Sequence, residues 1–379
     1  MKSKRAWYSR CKNALMRYGS SYPEDVRLKK TFPSLRLAIL QGSSSVSSAR
    51  VVPGREPRIE IALAFLNELD EQCTRDADII RVTFGDQDAP GDGTARRSII
   101  LDAVRDFATQ FIVLHEVSHI LCGHLDSVQR PGQTKALALD ETSLGIEGTT
   151  KEDSDAHVDP TEIHRAYFLE MEADNTAIQW LMQGPISAAL VRFLRSRLPR
   201  EYTADSAFAM VDLRGAVRVE AFRVLLSACW SVIALMERKR GNALKGSRTH
   251  PTSEARLVGA IFTLMEQYAE LATSVTDPRT GGKFHRLTPH HHEACVAFFA
   301  EVAKSIFIER VAEYFRAKDG QEKPLDALAV LQGVRESLAD APSQSKLDDE
   351  LRAIEILRPT MVCDLESFRY FYNEKPSLP

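Results

Sequence analysis

The stretch FIVLHEVSHILCGH, residues 111–124, contains two histidines four positions apart, His115 and His119, with Glu116 directly after the first. Residues four apart lie on one face of an α-helix, so both imidazoles can point at a single cation. Glu116 lies beside that face and can reach a water molecule on the cation without being a ligand. The stretch predicts either a hydrolytic metal site or an amphipathic helix whose histidines belong to the core.

The composition is that of a globular protein, with 379 residues, of which 44% are hydrophobic and 27% charged. The net charge of −3 gives no indication of binding to nucleic acid. We expect no signal peptide and no membrane span, because no apolar run is long enough to cross a bilayer. The six cysteines are scattered without a CxxC pair, which favours free thiols and a cytoplasmic location.

The chain divides into three segments by composition. Residues 1–55 are basic and then serine-rich, and they predict a partly helical arm and linker, either solvated or docking a partner. Residues 56–275 carry the motifs and include a polar insertion loop at 126–159. Residues 276–379 predict a helical C-terminal domain.

Local patterns place the motifs on helices. Residues 58–65 fit a strand or a helix start, whereas the β-rich residues 78–85 predict a strand. Helical periodicity and capping residues predict helices at about 101–122, from Pro160 to just before Gly184, and at about 186–198, 206–240 and 252–273.

The helix beginning at Pro160 offers further polar groups in LEMEAD, residues 169–174. Glu170 can be a third metal ligand, since catalytic zinc takes three protein ligands. Asp174 lies on the same face and can accept a hydrogen bond from a ligating histidine, which fixes its orientation. Glu172 points elsewhere and is expected to be exposed, and His124 is expected either to support a ligand or to lie at the surface.

Three segments together resemble a known family: HEVSH at 115–119, EMEAD at 170–174 and RTHPTSEAR at 248–256. In this order they resemble the gluzincin zinc metallopeptidases, in particular the HtpX-type and CAAX-prenyl-processing peptidases, over roughly residues 95–270. The group is commonly membrane-embedded and this chain has no spanning segment, so it looks like a soluble member or a more distant cousin. On HExxH and an expected cytosolic setting it also resembles, more loosely, the Lit-type phage-exclusion peptidases.

The resemblance implies an α+β, mostly helical fold. It would have a zincin-like core in residues 56–275, with a small β-sheet packed on the HExxH helix and the Glu-ligand helix. It implies Zn²⁺ bound by His115, His119 and Glu170, with Glu116 as the catalytic base. His250 and Arg256 would lie near the metal as catalytic residues.

The residues themselves leave two of these roles open. His250 precedes Pro251, which fits a first helical position, so His250 stands at a helix N-terminus and is either catalytic or only a cap. Arg256 either stabilises a developing oxyanion or pairs with Asp174 or another carboxylate. Tyr167 or Tyr202 could supply a further hydrogen bond to the oxyanion.

The expected function is that of a zinc-dependent endopeptidase that cleaves a restricted intracellular protein or peptide substrate, with a possible regulatory partner and no nucleic acid. Residues 79–84 are the candidate strand edge for an extended substrate, and the loop 126–159 is a candidate cover for the cleft. The alternative is a non-catalytic metal-binding interaction protein that retains the zincin fold. A cluster PHHHE at 289–293 can bind metal adventitiously.

Overall fold

A computed structural model of the chain describes residues 3–21, 35–42, 47–51, 57–83, 93–124, 137–140, 160–183, 189, 192–193, 216–243, 251, 253–276 and 283–285. The helices are α1 (Lys4–Ser21), α2 (Leu63–Thr83), α3 (Gly93–Leu121), α4 (Pro160–Gln183), α5 (Ala216–Ala243) and α6 (Ser253–Thr273). The strands are β1 (Arg36–Leu40), β2 (Ser47–Val51), β3 (Arg58–Ala62), β4 (Leu137–Asp140), β5 (Ser274–Thr276) and β6 (Lys283–His285). The described chain is thus mostly helical with a small amount of sheet, which confirms the α+β, mostly helical class.

Helix α3 is the centre of the fold. It contacts α1, α2, α4 and α5 as well as strands β2 and β3, and every residue from 107 to 124 is buried. A helix buried on all sides belongs to a core rather than to a surface. The helix predicted at about 101–122 is confirmed, although it begins earlier, at Gly93.

Four of the strands form one mixed sheet in the order β1-β3-β2-β4. Strand β1 runs parallel to β3, with Arg36 opposite Arg58, and β2 runs antiparallel to both β3 and β4. Strand β4 comes from the predicted insertion loop at 126–159, so part of that loop belongs to the sheet. The ambiguous segment 58–65 contains both alternatives, since it is strand to Ala62 and helix from Leu63.

The strand predicted at 78–85 is wrong as far as the described residues go, because α2 continues as helix to Thr83. Buried side chains recur at helical spacing along α2 and include Leu69, Cys73 and Ile80. Asp78 also binds Arg97 of α3, with Nε–Oδ1 and Nη2–Oδ2 distances of 2.5 and 2.7 Å. Tertiary burial therefore overrides the local β propensity, and residues 79–83 offer no strand edge to a substrate.

Parts of the N-terminal segment, predicted as a partly helical arm and linker, belong to the folded core. Helix α1 buries Trp7, Cys11 and Tyr18 in the same core as α3, and β1 and β2 are part of the four-stranded sheet. The Trp7 indole N–H donates to Asn67 at 3.1 Å, and the Tyr18 hydroxyl lies 3.0 Å from the side-chain oxygen of Gln110. On α1 the basic residues Lys4, Arg5 and Lys12 are exposed, whereas Trp7, Cys11 and Tyr18 are buried.

Helix α6 packs against both α4 and α5, and α4 and α5 each pack against α3. The helices predicted from Pro160 and at 252–273 are confirmed, and the helix predicted at 206–240 is described from Ala216 to Ala243. Gly259 permits the close approach of α6 to α4, since a Cβ there would lie 2.9 Å from Cε of Met171. Most of residues 186–198 lie outside the described residues. So do residues 276–379, apart from Thr276 in β5 and the three residues of β6.

Within the described ranges, no helix is both long and apolar enough to cross a membrane.

We expect Trp7→Ala to lower the free energy of unfolding by about 3–5 kcal/mol, because it removes a large buried side chain. Its neighbour Tyr8 is 38% exposed, so Tyr8→Ala should change that free energy by less than about 0.5 kcal/mol. Urea unfolding of the two variants beside the wild type measures both effects. Equal, small effects would mean that α1 is not part of the core.

Burial raises the pKa of the Cys11 thiol from 9.0 to about 12, and it also raises the pKa of Cys73 and Cys229. These thiols stay neutral in the folded chain but ionise near 9.0 when it unfolds. Folding stability is therefore expected to be intact below that pH and to fall as the pH rises above it.

At slightly alkaline pH, iodoacetamide should modify these three cysteines slowly in the native protein and rapidly in guanidinium chloride, as read from peptide masses. Equal rates in both would contradict their burial.

Candidate metal centre

Helices α3 and α4 bring the three predicted ligands together. The Nε2 atoms of His115 and His119 lie 3.0 Å apart, as expected for positions one turn apart. The Glu170 carboxylate lies opposite them, with one oxygen 3.5 Å from His115 Nε2 and the other 3.6 Å from His119 Nε2. All three side chains are buried. The small residues Ala173 and Ala177 are also buried on α4, which packs against α3.

This cluster could hold a metal ion, since one donor atom from each of the three residues lies within 4.8 Å of the others. Two imidazole nitrogens and a carboxylate oxygen are the donor set found at catalytic zinc sites. The facing Nε2 atoms give a further indication. Two ring lone pairs 3.0 Å apart repel each other unless a proton or a cation lies between them.

Asp174 occupies the place predicted for it. Its Oδ1 lies 2.9 Å from Nδ1 of His115. A carboxylate this close favours the proton on Nδ1, and the lone pair on Nε2 of His115 then faces Glu170 and His119.

Arg256 of α6 pairs with the same carboxylate, which is the second of the two roles left open by the sequence. Its Nε and Nη2 donate to Oδ2 and Oδ1 of Asp174 at 2.7 and 2.8 Å. Its Nη1 lies 3.9 Å from Glu170 and 3.7 Å from the sulfur of Met236. With a side chain that is 0% exposed, Arg256 fixes Asp174 and adds positive charge behind the ligands.

His124 and Glu172 form a second support, which for His124 is one of the two expected roles and for Glu172 was not expected from the sequence. His124 is buried, its Nδ1 lies 2.9 Å from Nδ1 of His119, and its Nε2 lies 2.9 Å from Oε2 of Glu172. The expectation that Glu172 points away and is exposed is wrong, since only 17% of its side chain is exposed.

A local change of direction explains this arrangement. In a continued helix, position 124 would lie about 140° around the axis from His119. Helix α3 instead ends at Leu121, and Gly123 adopts a φ of 75°, a left-handed conformation that glycine accepts without strain. The chain turns back, and Nδ1 of His124 comes to lie 2.9 Å from Nδ1 of His119. The sequence signal was Gly123 itself, a helix stop followed at once by a histidine.

The remaining predicted site residues are placed as follows. Glu116 is fully buried on α3, next in sequence to His115. Tyr167 of α4 is half-buried. His250, Tyr202 and the cluster at 289–293 lie outside the described residues, whereas Pro251, next to His250, is buried.

Comparison with known proteins gives no relative: no family model, no curated protein and no solved structure matches the chain.

We expect Arg256→Met to lower the free energy of unfolding by about 3–5 kcal/mol, because it leaves the buried Asp174 carboxylate without its bidentate partner. Arg192 provides a matched control, since it pairs with Asp102 at 3.4 Å with 56% and 41% of the two side chains exposed. Arg192→Met should change the same quantity by less than about 1 kcal/mol. Denaturant titration of both variants tests this, and similar losses would mean that the buried pair has no special role.

Proposed function

We propose that the chain is a zinc-dependent endopeptidase of the gluzincin type with a zincin-like core. The observation that carries the proposal is the convergence of His115, His119 and Glu170, with Glu116 buried beside the first of them. A structural zinc site is usually closed by four ligands, whereas a catalytic site keeps a position for water. Three ligands and an adjacent carboxylate fit the catalytic arrangement.

In this proposal His115, His119 and Glu170 hold the metal through Nε2, Nε2 and a carboxylate oxygen. Zinc bound there would lower the pKa of a water molecule to about 7 and polarise the carbonyl of the scissile bond. Glu116 accepts the proton of the attacking water and delivers it to the departing amine. The peptide C–N bond breaks, and the products are a carboxylate and an amine.

The surrounding charges suit this division of labour. Asp174 and Arg256 hold His115 from behind, so the ligand does not have to reorganise when charge develops on the substrate. Arg256 acts as a positioning residue in this scheme rather than as a donor to the substrate. An oxyanion donor from His250 stays a prediction.

The burial of the cluster favours a restricted substrate. His115, Glu116 and His119 are at most 1% exposed and Glu170 is 2% exposed, so an extended peptide has to displace covering groups to reach them. A site of this kind is expected to select its substrate more strictly than an open cleft. We therefore propose a protein substrate in the cell rather than general digestion, and a regulatory partner is compatible with it.

The first test is the zinc content per chain of tag-free protein. To remove adventitious binding, His290, His291 and His292 are changed to Ala in every sample. We expect about one zinc in this background and none after His115→Ala/His119→Ala, with metal measured by mass spectrometry after dialysis. Equal metal in both would contradict a site on α3.

The second part of the test separates catalysis from metal binding. Glu116→Gln should keep the zinc and lower the rate of cleavage by about 100-fold or more, because it removes the base. Labelling of new protein N-termini in a cell extract, with wild type against Glu116→Gln, measures cleavage even though the substrate is unidentified. Zinc in both proteins with no difference in new N-termini would instead favour the non-catalytic metal-binding alternative.

A further inference from the structure

The second support, His124 with Glu172, differs in kind from the first. His115 is held by a carboxylate, which Arg256 neutralises from behind. His119 is held by another imidazole, at 2.9 Å between the two Nδ1 atoms, and that imidazole is held by Glu172. An ionised carboxylate can only accept a hydrogen bond, whereas an imidazole can donate one or accept one. The protons on the two rings therefore decide the direction of the hydrogen bonds along His119, His124 and Glu172.

We propose that His124 and Glu172 are positioning residues that keep the proton of His119 on Nδ1, so that its Nε2 presents a lone pair to the metal. The inference rests on the proposed metal site. Glu172 accepts a hydrogen bond from Nε2–H of His124, which leaves Nδ1 of His124 as an acceptor. His119 then donates its Nδ1–H to that acceptor, and its lone pair is on Nε2, facing His115 and Glu170.

The number of ring protons supports this direction. Each neutral imidazole carries one N–H. With a cation between His115 and His119, one proton on each of the three rings satisfies every contact: Nδ1–H of His115 toward Asp174, Nδ1–H of His119 toward His124, and Nε2–H of His124 toward Glu172. No ring has to carry two protons.

The opposite direction leaves a conflict. If a proton on Nε2 of His119 filled the gap to His115, Nδ1 of His119 would be the acceptor and His124 would have to donate from Nδ1. The lone pair of a neutral His124 would then face the Glu172 carboxylate at 2.9 Å, which is repulsive.

The same reasoning decides against a second metal site. Cys122, His124 and Glu172 also offer three donor atoms within 4.8 Å of one another. A cation on Nε2 of His124 would put the ring proton on Nδ1, where it points at Nδ1 of His119. His119 would then have to keep its own proton on Nε2 and could not bind the first metal. With neutral rings the two sites exclude each other, and Cys122, whose sulfur lies 3.9 Å from the Thr176 hydroxyl, takes no part in the support.

The test measures zinc affinity of the full-length chain by competition with a chromophoric chelator, with the histidines at 290–292 again replaced by Ala. We expect His124→Ala to weaken zinc binding by about 10–100-fold and Glu172→Leu to weaken it in the same direction. Glu172→Gln should restore part of the loss, because its amide oxygen still accepts from His124. Cys122→Ala, in the same pocket, is the matched control and should leave affinity and stoichiometry unchanged.

A second measurement needs no variant to fold. Two-dimensional NMR of zinc-loaded wild type, with ¹⁵N-labelled histidine, shows which ring nitrogen carries the proton. We expect Nδ1–H for His119 and Nε2–H for His124. This inference would be overturned, and the proposed function would not, if His124→Ala bound zinc with unchanged affinity. The same holds if His124 of the wild type carries its proton on Nδ1. A second zinc lost in Cys122→Ala would also overturn it. No zinc bound by wild type would overturn the proposed function and this inference together.

Discussion

The carboxylate of Asp174 is the interaction on which the centre of the protein depends, because it joins three helices at one point. It lies on α4, with one oxygen 2.9 Å from Nδ1 of His115 on α3, and it accepts two hydrogen bonds from Arg256 of α6. All three side chains are buried, so the Asp174–Arg256 charge pair is not screened by water and neither charge can be removed without leaving the other uncompensated. This interaction sets the relative position of the helices that carry His115 and Glu170.

The two histidines of the candidate metal site have supports that differ in accessibility. Behind His115 lies the Asp174–Arg256 charge pair, which is buried in the core. Behind His119 lie His124 and then Glu172, a carboxylate with 17% of its side chain exposed. In the proposed enzyme, the first support gives a fixed ligand, and the second connects a ligand to the edge of the protein. The arrangement places the polar groups that the chemistry needs in a core that is otherwise apolar.

Much of the fold follows from local patterns, and the exceptions have one cause. The confirmed helices, α3, α4 and α6, follow long apolar patterns, and Pro160 occupies the first position of α4. Short segments were decided by what they pack against. Residues 78–83 are β-rich but continue helix α2, in which Ile80 is buried, and the basic segment 4–21 forms a helix that buries Trp7 in the core. Burial in the tertiary structure outweighs the intrinsic preference of a short segment.

The sequence by itself determined the parts of the site that depend on spacing within one helix. His115 and His119 share a face, and so do Glu170 and Asp174, because positions four apart always do so in an α-helix. Only the tertiary structure decided which side chains contact the candidate ligands from behind. Arg256 could have faced any carboxylate, and it meets Asp174 because α6 packs on α4. The support of His119 by His124 and Glu172 arises where a left-handed turn brings the end of one helix back against another. That is a relation between distant elements, which no local pattern encodes.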